Sequence, residues 1–282
     1  MNRLVDEFLS SSPFALTTKK TYARILNDLA AQSEIQRWTA CDLLGFIQSK
    51  QWGNSRQCVA LAASQRFLRW RFGEHHAALA AKLKRVRPRP QRVLTIEKAL
   101  ELLASFDTSC AKGARDLAIA ALALDTGLRC SELCRLRITD IDLDNRRLSV
   151  IVKGGQWGFG VFSEQTSQYI REWIAFRKGS SEALFVSTRT WTQLVPGGLQ
   201  KIVEGWGLSI GIKLSPHDLR RSFATLATIF GAPSRMVQVA GRWSDISMVE
   251  RYTRSLQLDI ITPYLPVSQL VGARTNHSQT EG

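Results

Sequence analysis

The sequence predicts a mainly α-helical protein with one small β-hairpin, arranged as a helical N-terminal domain and a mixed α/β second domain. Three observations carry this. Apolar residues recur at helical spacing through most of the chain. A basic, proline-bearing segment, "KLKRVRPRPQRVL" from Lys82 to Leu94, interrupts that pattern. Two β-prone runs flank Lys153-Gly154-Gly155. The expected layout is a helical domain over 1–84, a basic linker over 85–94, a second domain over 95–265 and a tail over 266–282. The end of that tail, "GARTNHSQTEG", is polar and is expected to be disordered.

In "TTKKTYARILNDLAAQ", Tyr22, Ile25, Leu26 and Leu29 stand at i, i+3, i+4 and i+7 and form one apolar stripe. Lys19, Lys20 and Arg24 lie off it. Thr39 with Asp42 resembles a capping box and starts "TACDLLGFIQSK". The next helix, Ser55 to Phe72, is expected to bury Val59, Ala63, Phe67 and Trp70. Arg66 and Arg71 flank that stripe, and Arg69 opposes it. Between Lys82 and Leu94 the prolines bar a helix and the like charges repel one another into an extended form. A helix over Thr95–Ser105 precedes an apolar one from Ala114 to Asp125. Gly127 marks a break, and "SELCRL" resumes the helix. "RRLSVIV" and "WGFGVFS" read as the arms of the hairpin. A helix over Gln165–Arg177 follows, "ALFVS" is expected as a short strand, and the rest is mainly helical to about Leu258.

The formal net charge of +14 favours a polyanionic partner, nucleic acid before an acidic membrane surface. The charge is uneven. Residues 1–94 hold 16 Lys/Arg against 6 Asp/Glu, and the remainder holds 22 against 18. Lys19, Lys20, Arg24, Arg66, Arg69, Arg71, Arg87 and Arg89 are therefore candidate phosphate contacts, with an ordinary solvated basic face as the alternative. The five cysteines, Cys41, Cys58, Cys110, Cys130 and Cys134, lack zinc-knuckle spacing and read as free thiols in a reduced compartment. The start, "MNRLVDEFLSSS", has no apolar signal core, and the aliphatic run Leu117–Leu124 is too short to span a bilayer. A cytoplasmic, nucleoid-associated protein is expected.

Four local patterns bear on chemistry. In "SPHDLRRSFAT", Ser215 suits an N-cap, Pro216 the first helical position, and Asp218 the third. His217 then sits in the first turn, one helical step from Arg220. The unpaired N–H groups and dipole of a helix start already favour an anion, so the imidazole and guanidinium extend a phosphate cradle. A structural His–Asp–Arg cluster is the alternative. In "DTGLRCSEL", Gly127 supplies a turn, Arg129 opens the next helix, and Glu132 stands where it can orient the guanidinium. A salt bridge without function fits equally. Lys153 lies at the hairpin tip beside two glycines, where a lysine is usually just solvated. In "AGRWSDISMVERYTRS", Gly241 ends one helix, Ser244 can cap another, and Tyr252 falls late in it, nine residues after Trp243.

Taken together and in order, Arg129, Lys153, His217, Arg220, Trp243 and Tyr252 resemble the active-site set of the tyrosine recombinases, the phage-integrase-type site-specific recombinases of the simple Xer and Cre kind. The resemblance covers Thr95 to Tyr252. The first domain resembles the family's core-DNA-binding domain in size, helicity and charge. The resemblance implies that Arg129 and Arg220 clamp the scissile phosphate and that Tyr252 attacks phosphorus to form a 3′-phosphotyrosyl link. It implies that Lys153 protonates the departing 5′ oxygen and that His217 assists proton transfer. Trp243 takes the place where most members have a second histidine. The segment after Lys153, "GGQWGFG", lacks the further basic residues often found there. The implied partner is double-stranded DNA, bound by four protomers on two sites, without metal, nucleotide cofactor or membrane. The covalent link keeps the energy of the broken bond, so rejoining needs no ATP.

Three rivals remain at this level. A type IB topoisomerase or telomere resolvase shares the phosphotyrosine chemistry. An accessory DNA-binding protein without catalysis has no use for Tyr252. A membrane-surface protein calls for a strongly amphipathic interfacial helix that the sequence lacks.

Overall fold

The computed structural model describes residues 2–84, 91–152 and 155–253. The chain divides into two compact units, Met1–Pro88 and Arg89–Gly282. Among the described residues the protein is mostly helical, with one three-stranded antiparallel sheet. No helix among them is long and apolar enough to cross a membrane.

The first unit holds α1 (Arg3–Ser11), α2 (Leu16–Ala30), α3 (Ala40–Ser49) and α4 (Asn54–Phe72). The stripe on α2 is buried as its spacing requires, with Tyr22, Ile25, Leu26 and Leu29 in the core. Full burial of each aliphatic side chain there stabilises by about 1.5–3 kcal/mol. Thr39 and Asp42 form the reciprocal capping box at the start of α3. On α4 the buried face is Ala60, Ala63, Ser64, Phe67 and Leu68. The expectation for Val59 and Trp70 is corrected: they are 39% and 38% exposed. Ala63 and Phe67 belong to both candidate stripes, and the face carrying the small Ala60 is the one that packs. Trp70 still covers the core edge, with ring centroids 5.5 Å from Phe8 and 6.0 Å from Phe67.

The second unit begins by docking its own entry segment. Leu94 is buried, its N–H donates to Ser222 Oγ at 2.7 Å, and Arg92 stands 3.5 Å from Asp218. The helices α5 (Ile96–Ala104), α6 (Ala111–Thr126) and α7 (Cys130–Arg135) lead to β1 (Ile141–Asp142), β2 (Arg147–Ile151) and β3 (Trp157–Val161). The strand order is β1-β2-β3, with Ser149 opposite Phe159. Then follow α8 (Glu164–Phe176), α9 (Pro196–Ser209), α10 (Pro216–Ile229), α11 (Ser234–Ala240) and α12 (Ser247–Thr253). The helix α6 is buried on nearly all sides and packs against α8 and α10. Its C-terminal Asp125 accepts hydrogen bonds from Ser163 Oγ and Thr166 Oγ1, each at 2.6 Å, and so ties α6 to the cap of α8.

Two further expectations are corrected. The segment "ALFVS" is not a strand. It makes only isolated bridges, Arg137 with Ala183 and Val186 with Gln193. Its backbone is satisfied otherwise: Leu184 N–H donates to Leu136 O at 2.8 Å, and Leu184 O accepts from Trp173 Nε1 at 2.9 Å. The last helix does not start at Ser244. It starts at Ser247, whose N–H donates to Asp245 Oδ1 at 2.9 Å. The expected helix to Leu258 and the tail beyond it lie outside the described residues from Arg254 onward.

Gly127 ends α6 in the left-handed region, at φ 57°. A Cβ there would stand 2.5 Å from Phe223 Cδ1. Gly127→Ala is expected to lower stability by about 1–2 kcal/mol from backbone conformation alone, and by more where Phe223 must move. A urea denaturation midpoint equal to that of the unsubstituted protein would contradict this reading of the turn.

Candidate active site

The turn at Gly127 delivers Arg129 to the N-cap position of α7. Glu132, in the first turn of α7, is buried and serves both ends of that residue. Its Oε2 accepts from the Arg129 backbone N–H at 2.8 Å, and its Oε1 accepts from Arg129 Nη1 at 2.7 Å. The Arg129 side chain stays 39% exposed while Glu132 is 1% exposed. The guanidinium is thus held by a rigid carboxylate yet open to a ligand.

The start of α10 forms as its sequence requires. Ser215 Oγ accepts from the Asp218 N–H, and Pro216 takes the first position. The carboxylate of Asp218 accepts from Ser215 Oγ at 2.7 Å and from Arg221 Nη1 at 2.9 Å. His217 is exposed on the first turn, and Arg220 is buried one turn on. Arg220 Nη1 donates to Gly127 O, and Nη2 donates to Gly241 O at 2.7 Å. Its guanidinium lies 4.3 Å from the centroid of the Trp243 ring. Trp243 in turn stacks on Phe223, 6.1 Å away at an interplanar angle of 14°. A satellite core of Phe223, Ala224, Val237, Trp243 and Val249 anchors α12 through Val249. Tyr252 lies on α12, which packs against α10 and α11.

The structure therefore brings Arg129, His217, Arg220 and Trp243 to one region, where the turn after α6, the start of α10 and the turn after α11 meet. Lys153, Arg87 and Arg89 lie outside the described residues. In the first unit, Arg24 and Lys20 are exposed and Lys19 is half-buried. Arg66 donates to the Tyr22 hydroxyl at 3.1 Å and lies over Phe14. Arg69 pairs with Glu74 at 2.7 Å, and Arg71 lies over Phe72.

Sequence reasoning missed Arg242. The structure buries it beside Glu132, with its guanidinium on three backbone carbonyls. The sequence signal was indirect, in the alternating glycines of "WGFGV".

The imidazole of His217 titrates below its ordinary value of 6.5. Partial desolvation is the main cause. The guanidiniums of Arg221, Arg220 and Arg129 add to it, and Asp218 opposes them. Arg129 and Arg220 thus both disfavour the charged imidazole. The folded protein binds this proton less readily than the unfolded chain, so the stability it contributes is present above pH 6.5 and is lost as pH falls through the folded value. Proton NMR is expected to show His217 neutral at pH 7. In Arg129→Ala its midpoint is expected to rise, and an unmoved midpoint would separate the two residues.

Comparisons with known proteins show which family and fold the chain resembles. The model of the phage integrase family matches residues 92–258. The tyrosine recombinase XerC of Haemophilus influenzae is 31% identical over 257 residues, which is 86% of this chain and 86% of that protein. Among solved structures, a Tn1549 transposon integrase in complex with transposon right end DNA superposes with a TM-score of 0.75 at 15% identity, covering 93% of this chain and 96% of that one. A XerH site-specific recombinase bound to a palindromic difH substrate gives a TM-score of 0.73 at 20% identity, covering 89% of this chain and 80% of that one.

Proposed function

The chain belongs to the phage integrase family, and on that premise we propose how it works as a site-specific tyrosine recombinase. Arg129 and Arg220 bind the non-bridging oxygens of the scissile phosphate. The Tyr252 Oη–P bond forms as the P–O5′ bond breaks, with its electron pair left on the 5′ oxygen. The phenol's proton passes to the neutral imidazole of His217, and the 5′ oxygen takes a proton from the Lys153 ammonium. Trp243 donates a hydrogen bond from its indole N–H at the site, but cannot shuttle a proton.

The observation that most supports this reading is the bond from Arg220 to Gly127 O, two residues before Arg129. Fixed cations aimed at one point stabilise the charge that gathers on a phosphate under attack. A phenol with an ordinary pKa of about 10 also needs such a field, or a base, to attack near neutral pH. The depressed His217 supplies the base in its working form.

The rest of the reading concerns the DNA. Residues 1–84 supply a DNA-binding domain through Lys19, Lys20, Arg24, Arg66, Arg69 and Arg71. The linker of 85–94, with Arg87 and Arg89, follows the phosphate backbone up to the point where Arg92 and Leu94 dock on the second unit. Residues 95–265 supply catalysis. Four protomers act on two sites, in the cytoplasm and on nucleoid DNA. Affinity falls steeply with salt because phosphate contacts release counterions.

The test is covalent capture. Sheared duplex DNA is incubated with the protein, denatured, and the DNA that remains linked is sequenced. The expected result is one recurring site linked through its 3′ phosphate. DNA retained only before denaturation would leave an accessory binding protein instead. Capture on arbitrary sequence would favour a topoisomerase.

A further inference from the structure

Arg242 has no part in the mechanism above, yet its side chain spans three of the segments that build the site. It stands in the left-handed region at φ 56°. Its Nη1 donates to Ala240 O at 2.8 Å and to Phe159 O at 3.2 Å, and its Nη2 donates to Thr126 O at 3.0 Å. Glu132 Oε2, on the carboxylate that holds Arg129, lies 3.9 Å away. The side chain is 9% exposed. Burying a guanidinium is costly, and its hydrogen bonds and the nearby carboxylate offset that cost.

The opposite strand is shaped to receive it. A Cβ on Gly158 would stand 2.8 Å from both Arg242 Cδ and Val152 Cγ1, while one on Gly160 would meet Leu148 Cδ1 first, at 3.1 Å, with Arg242 Nη1 at 3.5 Å. Glycine weakens a strand, and at Gly158 the missing Cβ leaves room for the Arg242 stem. On the other face of β3, Trp157, Phe159 and Val161 are exposed. Among the described residues β3 is an edge strand that pairs with β2, so the arginine adds an anchor on the side away from β2. The turn that joins β2 to β3 contains Lys153 in the sequence.

We propose that Arg242 is a positioning residue for strand cleavage: it fixes β3 to the turns bearing Arg129 and Trp243, and through the hairpin it governs protonation of the leaving 5′ oxygen. This rests on the assignment of Lys153 as the proton donor.

The test uses the full chain and a nicked suicide duplex bearing the captured site, synthesised with either oxygen or sulfur as the 5′ bridging atom. A thiol is a far stronger acid than an alcohol, so a thiolate departs without being protonated. Lys153→Ala and Arg242→Met are each expected to slow cleavage of the oxygen substrate on the order of 10²-fold. Each is expected to return to within about threefold of the unsubstituted chain on the sulfur substrate. Arg242→Met that stays slow on sulfur while Lys153→Ala recovers would overturn the inference and leave the Lys153 assignment standing. Arg242→Met with no defect on either substrate would overturn it as well. Lys153→Ala that stays slow on sulfur would remove the Lys153 assignment and the inference with it. If Arg242→Met melts early, Arg242→Gln decides, because it keeps two N–H donors in the buried site but is too short to reach all three carbonyls. A defect confined to the oxygen substrate supports the inference, and an equal defect on both, or none, refutes it.

Discussion

Tyr252→Phe is expected to reduce covalent capture on a suicide duplex by on the order of 10⁴-fold or more while leaving duplex binding intact. The substitution removes one oxygen and keeps the ring. The backbone of α12 is held by Val249 in the core with Phe223 and Trp243. Gel-shift titration and denaturing electrophoresis on the same samples separate the two effects. Persistent covalent product in Tyr252→Phe would place the nucleophile on another residue. Loss of binding together with capture would assign Tyr252 to DNA contact instead.

Arg220→Ala is the second large effect, because it removes a cation and a brace at once. Cleavage is expected to fall about 10²–10³-fold, the usual cost of losing one preorganised donor at a developing anion. The carbonyls of Gly127 and Gly241 lose their donor, at about 1–3 kcal/mol for each buried group left unsatisfied. The Trp243 ring also loses its cation, a contact of about 2 kcal/mol when desolvated. Urea denaturation should therefore show a loss of several kcal/mol beside the kinetic defect. Arg220→Lys keeps the charge, but one ammonium cannot hold two carbonyls and a phosphate in a plane. It is expected to recover little of either property. Full activity in the lysine variant would mean that charge alone matters here.

Much of this structure was legible in the sequence wherever the deciding contacts are local. The stripe of α2, the box of Thr39 with Asp42 and the start of α10 at Ser215 follow from spacings of three and four residues. The pairing of Glu132 with Arg129 is local in the same way. The misses arose where a choice was made from afar. Ala63 and Phe67 fit two stripes on α4, and only the packing partners select the one that leaves Val59 out. The run "ALFVS" is apolar because it is buried, but its carbonyl and N–H groups are used by Trp173 and Leu136 rather than by a neighbouring strand. Arg242 is the extreme case. It reaches Thr126, 116 residues away, and Phe159, 83 residues away. No local spacing carries that information. The glycine at 158 recorded part of it, but it is readable only once the strand and the arginine are seen together.

On the proposed mechanism, Arg129 and Arg220 grip one phosphate to which Tyr252 becomes bonded. The most direct measurement is a crystal structure of the protein trapped on its nicked site. The predicted result is a Tyr252 Oη–P bond, with both guanidiniums within about 2.7–3.1 Å of that phosphate's non-bridging oxygens. A phosphate bonded to any other side chain, or one from which either guanidinium is turned away, would contradict it.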